Sequence, residues 1–259
     1  MIVVVKYGGN ALAGSAEGDA LELFAHDIAQ MHNEGIRPVV VHGGGPQISQ
    51  LMAARGKQPE FRDGLRVTDA ETVDIVRLAL MDQVNPQIVA AISAHGVAAV
   101  GVSGVDVITA TARDPELGFV GDVARVDAAA IHDLLARDVI PVVAPLGSDD
   151  AGQTYNINAD TVAGAIATAL AAQRLVYLTD IDGLRRVVTD ASSLIGETSA
   201  DALQAMLDGG TIANGMIPKV QSCVDAVRSG VITAHIIDGR VPHALRALLA
   251  DERMGTVVR

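Results

Sequence analysis

Two of the three lysines in this chain lie in short segments that contain glycine. The lysines are Lys6, Lys57 and Lys219, so arginine carries most of the positive charge. Lys6 begins the segment Lys6-Tyr-Gly-Gly-Asn10, and Lys219 ends the segment Gly215-Met-Ile-Pro-Lys219. A lysine ammonium is a compact point charge on a mobile stem, which suits a phosphoryl group in transfer. The placement of these two lysines therefore points to phosphate chemistry.

Three glycine-bearing segments follow predicted strands, namely Gly8–Gly9, Gly43–Gly45 and Asp180–Gly183. Ligands of open α/β sheets bind at the carboxyl ends of the strands. Glycine lets the backbone approach a ligand, and the N-terminus of a following helix offers free N–H groups to an anion. One such segment alone would be interpreted as a tight turn, but three favour a binding edge. None matches a Walker loop or the dinucleotide-binding G-x-G-x-x-G pattern.

Two asparagines and an aspartate are closely spaced in the segment Tyr155-Asn-Ile-Asn-Ala-Asp160. Asn156 and Asn158 are two residues apart, which places both amides on one face of an extended segment. Asp160 occupies the position of a helix N-cap before the predicted helix. Its carboxylate could also hold two lysine ammoniums in place.

Arg66 lies in a polar, glycine-containing segment, residues 62–69. A guanidinium there can clamp a carboxylate through two parallel hydrogen bonds, although a solvated loop arginine is the alternative. His42 precedes three glycines and is interpreted as structural rather than as a catalytic base. Cys223 is the only cysteine, which excludes an intramolecular disulfide and a cysteine-rich metal site.

The composition limits the class of protein. A length of 259 residues fits one large α/β domain or two closely joined lobes. The net charge of −12 argues against sequence-independent binding to nucleic acid. The first apolar run is too short for a signal peptide, and no stretch reaches the length of a membrane span. We therefore expect a cytoplasmic protein.

Buried-strand patterns alternate with helical patterns along the chain, which predicts a mainly parallel sheet covered by helices on both faces. The predicted strands are Ile2–Val5, Pro38–Val41, Ala98–Val102, Ile140–Val143, Leu175–Leu178, Ala234–Ile237 and Thr256–Val258. The predicted helices are Ala20–Glu34, one from Pro46, Ala70–Ala94, Asp160–Ala172, Ala200–Leu207, Met216–Arg228 and Pro242–Ala250. Residues 58–68 are predicted to form a hairpin or loop, and residues 103–139 a less regular segment. A division near residue 173 separates two lobes, 1–173 and 174–259.

Six segments together resemble the motif set of the N-acetylglutamate kinases, which are members of the amino acid kinase family. The segments are Lys6–Asn10, Val41–Pro46, Gly64–Asp69, Asn156–Asp160, Thr179–Gly183 and Gly215–Lys219. They occur in the expected order, and the resemblance covers essentially the whole chain. It implies a three-layer αβα sandwich in which residues 1–173 bind the amino acid and form the dimer contact. Residues 174–259 would bind ATP.

The resemblance also implies roles for the matched residues. Lys6 and Lys219 would stabilise the transferring phosphoryl group, and Asp160 would organise both lysines. The acylated amino acid would be held by Gly43, Gly44, Arg66, Asn156 and Asn158. The nucleotide would be held by Gly8, Gly9, Asp180, Asp182, Gly183, Leu184, Asn214, Gly215 and Met216.

The implied reaction moves the γ-phosphoryl group of ATP to the side-chain carboxylate of N-acetyl-L-glutamate, a step of arginine biosynthesis. That carboxylate is ionised at neutral pH and needs no general base. Mg²⁺ would be held mainly by the nucleotide phosphates and water, without a protein ligand.

Two alternatives stay open. A kinase for 2-aminoadipate or glutamate bound to an amino-group carrier protein would have the same fold and ATP site. A catalytically silent regulatory module of this fold is the alternative from another class, although it would not need both lysines and Asp160 together. A nicotinamide-dependent dehydrogenase lacks its glycine fingerprint.

One difference between this chain and its arginine-inhibited relatives predicts how the protein is regulated. Arginine-inhibited relatives carry an extra N-terminal helix that joins dimers into a hexamer, whereas strand one begins here at Ile2. We therefore expect a homodimer that is insensitive or weakly sensitive to arginine. Binding of a PII-type signalling protein is possible but has no support in the sequence.

Overall fold

The computed structural model describes residues 1–8, 17–212, 216–250 and 254–259. Its strands are β1 (Ile2–Tyr7), β2 (Arg37–His42), β3 (Phe61–Arg62), β4 (Leu65–Arg66), β5 (Ala99–Ser103), β6 (Ile108–Ala112), β7 (Val120–Val126), β8 (Ile140–Ala144), β9 (Leu146–Ser148), β10 (Thr154–Ile157), β11 (Arg174–Thr179), β12 (Glu197–Thr198), β13 (Thr233–Asp238) and β14 (Thr256–Val258). Its α-helices are α1 (Glu17–Asn33), α2 (Gly45–Ala54), α3 (Ala70–Leu78), α4 (Asn85–Ser93), α5 (Ala128–Ala136), α6 (Ala159–Ala169), α7 (Ala200–Asp208), α8 (Ile217–Arg228) and α9 (Ala244–Leu249).

Eight strands form one central sheet in the order β12-β14-β13-β11-β1-β2-β8-β5. Neighbouring strands are parallel except β13 and β14, which are antiparallel. In the middle of the sheet, Val5 is in register with Val176 on β11 and with Val40 on β2. Strands covered on both faces read as continuous β-branched runs, which is why the sequence revealed them. The predicted mainly parallel sheet is confirmed.

Helices cover both faces of this sheet and make it the middle of three layers. Helices α1, α4 and α9 pack on one face with side chains such as Ile28, Ile88 and Leu245. Helices α5 to α8 pack on the other face, where Ile131 and Cys223 are buried. The predicted αβα sandwich is confirmed. No helix in the described ranges combines the length and apolarity needed to cross a bilayer.

A second, smaller sheet lies in the first part of the chain. Strands β6, β7, β9 and β10 pair in a closed four-stranded arrangement. The prediction of a less regular segment over residues 103–139 is therefore wrong, because this segment contains β6, β7 and α5. The side chains of β7 are mostly half-exposed after its first two residues, so the sequence lacks a buried-strand pattern.

Three other predictions can be compared with the structure. The predicted hairpin is present, since β3 and β4 pair and Asp63 and Gly64 occupy the left-handed region at the turn. The predicted helix over residues 70–94 is α3 and α4 joined by a π-helical segment, Ala79–Val84. The predicted N-cap at Asp160 is wrong: Asn158 caps α6 by accepting hydrogen bonds from the backbone N–H groups of Asp160 and Thr161.

Candidate active site

A buried carboxylate holds two lysines that are 213 positions apart in the sequence. The Lys6 Nζ lies 2.9 Å from Asp160 Oδ1. The Lys219 Nζ donates to both Asp160 oxygens, at 2.9 Å each. The three side chains are nearly buried, with at most 12% of each exposed. The two ammoniums therefore lie within reach of a single small anion.

The central sheet and two helix N-termini bring these groups together. Lys6 lies near the carboxyl end of β1, Asp160 lies in the first turn of α6, and Lys219 lies in the first turn of α8. The N-terminus of a helix carries a partial positive charge and unpaired N–H groups. Gly8 keeps space beside Lys6, because an added Cβ would lie 3.3 Å from the ammonium. The arrangement suits an anion such as a phosphoryl group.

Buried hydrogen bonds fix the position of Asp160. The Tyr177 hydroxyl donates to the Asp160 backbone carbonyl at 3.1 Å and the Ser222 hydroxyl donates to it at 2.9 Å. The Tyr177 ring also lies 4.8 Å from the Lys219 ammonium, within cation–π range. Helices α6 and α8 approach closely at Gly164, where an added Cβ would lie 2.1 Å from Ser222 Oγ. Glycine at this position therefore sets the distance between the helices that carry Asp160 and Lys219.

The two ammoniums outnumber the carboxylate, and this excess governs the electrostatics of the site. Burial would raise the pKa of Asp160, but the charges of Lys6 and Lys219 together outweigh it and lower that pKa to about 2. Burial lowers the pKa of Lys219, against the attraction of Asp160. Asp160 is thus ionised at neutral pH and neutralises one of the two cations. The remaining positive charge is available to a bound anion.

Arg66 lies on β4 and points into the fold rather than into solvent. Its guanidinium donates to Ser49 Oγ at 2.9 Å and to the Gly45 carbonyl at 3.2 Å, and it stacks on the Phe61 ring. Burial lowers the pKa of Arg66. Within the described residues no carboxylate lies within ion-pair distance of Arg66, although an arginine remains charged in proteins. The alternative of a solvated loop arginine is wrong.

Two of the predicted substrate-binding residues, Gly44 and Asn156, lie close to the segment that contains Arg66. The Asn156 amide donates to the Thr68 hydroxyl at 3.2 Å, and that hydroxyl donates to the Arg66 carbonyl at 2.7 Å. Gly44 is the N-cap of α2, and its added Cβ would lie 2.5 Å from Leu80 Cδ2. The Asn158 side-chain oxygen caps α6 by accepting from the Asp160 N–H at 2.8 Å.

His42 and its neighbour Gly43 are held by backbone and amide contacts. The ring Nδ1 donates to the Gly43 carbonyl at 2.9 Å, and the Asn85 amide donates to Nε2 at 3.0 Å. Burial lowers the pKa of His42 to about 4, so the ring is neutral at neutral pH. The Gly43 N–H donates to the Tyr7 carbonyl at 2.9 Å. These contacts agree with a structural role for His42.

A cavity of about 460 Å³ lies beside the segment that follows β11. It is lined by Asp180, Asp182, Gly183, Leu184, Met216 and Arg240, among others. Gly183 has a φ of 140°, which side-chain-bearing residues rarely adopt. Pockets that bind small molecules commonly have this volume. Five of the predicted nucleotide-binding residues therefore share one cavity, whereas Gly9, Asn214 and Gly215 lie outside the described residues.

Comparison with known proteins identifies the family of this chain. The model of the amino acid kinase family matches residues 1–238. The chain belongs to the amino acid kinase family. An acetylglutamate kinase of Jannaschia sp. (strain CCS1) is 48% identical over 261 residues, covering 100% of this chain and 90% of the relative. That of Symbiobacterium thermophilum is 46% identical over 268 residues, covering 99% and 90%.

Solved structures also resemble this amino acid kinase. N-acetylglutamate synthase from Neisseria gonorrhoeae, complexed with coenzyme A and N-acetyl-glutamate, has a TM-score of 0.83 and 28% identity. The match covers 99% of this chain and 59% of the synthase chain. The synthase therefore contains a further part that this match does not include.

The sequence did not reveal every residue that shapes the site of this amino acid kinase. Tyr177 lies on β11 in a run of apolar residues, so it resembles an ordinary core residue. Ser222 lies three positions after Lys219 and Gly164 four positions after Asp160, on the same buried helix faces, and this spacing is the signal that could have identified them. Thr68 lies within the matched segment Gly64–Asp69, which is the one signal that could have identified its role.

A larger groove of about 1080 Å³ lies between the β3–β4 hairpin and helices α6 and α8. Its lining includes Asn158 and Gly164 but not Lys6, Lys219, Asp160 or Arg66. Volume alone would favour this groove as the active site. We assign the candidate site to the buried charges, because charge and donor placement rather than volume stabilise phosphoryl transfer.

Proposed function

We propose that this chain transfers the γ-phosphoryl group of ATP to the side-chain carboxylate of N-acetyl-L-glutamate. The observation that carries the proposal is the placement of two lysine ammoniums, each 2.9 Å from the same carboxylate oxygen. The relatives that match over essentially the full chain are named acetylglutamate kinases. In this reaction a carboxylate oxygen bonds to the γ-phosphorus while the bond to the ADP oxygen breaks. The products are an acyl phosphate and ADP.

The chemistry requires charge stabilisation rather than a base. The attacking carboxylate is already ionised at neutral pH, and the only histidine beside the glycine segment, His42, is held by two hydrogen bonds. The difficulty is repulsion between this carboxylate and the polyphosphate. Lys6, Lys219 and the N–H groups at the start of α8 would offset that repulsion, which their position around one buried carboxylate supports. Such preorganised donors supply most of the catalysis in phosphoryl transfer.

We propose that Arg66 binds a carboxylate of the amino acid substrate. The guanidinium is buried but is bonded only to neutral groups within the described residues, namely Gly45, Ser49 and Met52. A substrate carboxylate would provide the charged partner that a buried cation needs. The amide of Asn156, linked to the Arg66 backbone through Thr68, would contact the same substrate.

We place the nucleotide in the cavity beside Asp180, Asp182, Gly183, Leu184 and Met216. In this arrangement residues 174–259 form the ATP lobe and residues 1–173 the amino acid lobe, with Gly43 and Gly44 on the substrate side. Gly8 lies beside Lys6, between the two sites. The continuous sheet joins the lobes through the pairing of β1 with β11.

Mg²⁺ would enter with the nucleotide. The donor set at the site fits this: both Asp160 oxygens already accept from lysine, so they are poor candidates for metal ligands. Magnesium at such sites keeps several waters and is bound largely by substrate phosphates. When bound, it would neutralise charge on the phosphate oxygens.

An ATP-dependent hydroxamate assay tests the proposed reaction, because hydroxylamine traps an acyl phosphate. We expect product with N-acetyl-L-glutamate and little with glutamate, aspartate or 2-aminoadipate. Product formed only from carrier-bound 2-aminoadipate or glutamate would replace this proposal with the carrier-dependent alternative. No ATP-dependent product from any of these substrates would support the silent-module alternative.

We further propose that the chain works in the cytoplasm as a homodimer. One edge of the central sheet is β5, where Val100 is exposed, and an edge strand can pair with another chain. Light scattering coupled to size-exclusion chromatography tests the proposed oligomeric state. A mass of twice the monomer is expected, and a monomer or hexamer would contradict it.

A further inference from the structure

We propose that His26, Asp27 and His243 form a binding site for a divalent transition metal, with Zn²⁺ as the expected ion. One ligand atom from each residue lies within 4.8 Å of the others. His26 and Asp27 lie on α1, and His243 is the N-cap of α9, more than 200 residues later. Two imidazoles and a carboxylate are a ligand set that zinc commonly takes in proteins.

The distances between the ligand atoms bracket those around a coordinated ion. His243 Nδ1 lies 2.7 Å from Asp27 Oδ1, and His26 Nδ1 lies 3.6 Å from the same oxygen. Ligand atoms about 2.0–2.2 Å from a tetrahedral Zn²⁺ are separated by about 3.3–3.6 Å. Side-chain adjustments of about an ångström would therefore admit the ion, which would replace the proton shared by His243 and Asp27.

The charges around Asp27 favour a cation. Its side chain is 3% exposed, and a buried carboxylate needs charged or hydrogen-bonding partners. Among the described residues, the basic groups within 4 Å of it are the two imidazoles, with no lysine or arginine. Among the residues that the structure describes, none forms a hydrogen bond with the buried His26 Nδ1. A metal ion would satisfy this nitrogen and neutralise the carboxylate at the same time.

The backbone at His243 also holds the ring in place. Its φ of 57° lies in the left-handed region, which is uncommon for residues other than glycine. Strained residues of this kind persist where surrounding structure fixes them and are frequent at binding sites. The conformation places the His243 ring 5.4 Å from the His26 ring.

Solvent can complete the coordination. The side chains of His26 and His243 are each 41% exposed, so a water molecule can occupy a fourth position. On the other side of His26 lies His95, at a ring distance of 5.4 Å, with its Nε2 3.1 Å from Glu22. Nitrogen ligands disfavour Mg²⁺ and Ca²⁺, which prefer all-oxygen sites.

This site is separate from the candidate active site. Helices α1 and α9 cover one face of the central sheet, whereas α6 and α8, which carry Asp160 and Lys219, cover the other. The ion would join α1 to α9, which belong to different halves of the chain. We therefore expect metal binding to raise the thermal stability of the protein without being required for catalysis.

The test is a zinc titration of the untagged, metal-stripped, full-length chain in the presence of a chromogenic chelator and without nucleotide. We expect one Zn²⁺ per chain, a higher melting temperature with Zn²⁺, and no competition by excess Mg²⁺. His26→Asn and His243→Asn should each weaken binding by at least about 10–100-fold, since even outer-shell changes cost that much. Both residues are half-exposed, so these variants should fold.

A matched control is His132→Asn, which removes an exposed imidazole on α5, in the opposite helix layer. It should bind Zn²⁺ like the unmodified chain. Asp27→Asn keeps the side-chain volume and should also weaken binding. The proposal is overturned if no saturable binding occurs, or if the His26→Asn, His243→Asn double variant binds with unchanged affinity. Either result would mean that this cluster is only an ion pair between His243 and Asp27.

Discussion

Replacing Asp160 by asparagine tests whether this carboxylate holds two cations together. The substitution keeps the side-chain shape and an acceptor oxygen but removes the negative charge. Lys6 and Lys219 would then face each other with no counter-ion between them. Each ammonium lies 2.9 Å from Asp160 Oδ1, so the two nitrogens are at most 5.8 Å apart.

The distance gives the size of the effect. Two unit charges at that separation repel by about 3 kcal/mol at an effective dielectric constant near 20. This value is similar to the ~3–5 kcal/mol that removal of one partner of a buried ion pair typically costs. For a chain of this length, about 3 kcal/mol corresponds to a fall in melting temperature of about 6–12 °C. Misplacement of the lysines should also reduce turnover by about 100-fold.

Thermal unfolding and an assay of ADP release measure the two effects in Asp160→Asn. The matched control is Asp201→Asn, which removes the partner of Arg228 in an exposed ion pair. Exposed pairs contribute little to stability, so this control should unfold and react like the unmodified chain. If Asp160→Asn kept the melting temperature and turnover of the control, Asp160 would not be the group that holds the lysines.

Four further predictions concern the same site. Lys219→Ala should lower kcat by about 100-fold or more with little change in KM, because one preorganised donor is lost; near-normal turnover in steady-state kinetics would contradict this role. Arg66→Ala should mainly raise KM for the acylated amino acid, and an unchanged KM would remove it from the substrate site. Gly164→Ala should lower the free energy of unfolding by about 1–3 kcal/mol in urea titrations, because its Cβ would lie 2.1 Å from Ser222 Oγ; Ser222→Ala should recover part of this loss, and no recovery would count against that contact. The pKa of Asp160 is lowered from 3.8 to about 2, so the stabilisation that its charge contributes is present above pH 4 and is lost as the pH falls towards 2. Urea titrations over this pH range should show a smaller fall in the free energy of unfolding for Asp160→Asn than for the unmodified chain, and equal falls would disprove the linkage.

The sequence allowed the central sheet to be predicted because burial on both faces leaves a local signal. The runs in β1, β2, β8 and β11 are apolar wherever helices cover them. The predicted strands stop one or two residues short, mostly at polar residues such as Lys6 and His42, and in β8 at Ala144. The small closed sheet left no such signal. Its strands depend on pairing with segments far away in the chain, as β6 pairs with both β7 and β9.

The candidate site shows the same difference between local and non-local information. Residue types and glycine spacing identified Lys6, Lys219, Asp160 and Arg66, but their catalytic and binding roles stay predictions. Asn158 and Asp160 are both good capping residues, and only the backbone geometry decides that Asn158 caps α6. Tyr177 supports Asp160 from a strand paired with β1, a contact that sequence spacing cannot reveal.

Lysine at positions 6 and 219 leaves N–H donors free for a bound anion. Two ammoniums carry six N–H donors, and three contacts of 2.9 Å to Asp160 account for half of them. The other three are available for a phosphoryl group, whose charge is spread over three equatorial oxygens. Lys57 differs, because its ammonium is bonded to Asp69 and Glu71 at the surface. Two arginines would bring ten donors on broad, rigid planes, and two such forks are harder to orient toward one carboxylate and one phosphoryl group in a nearly buried space than two compact ammoniums.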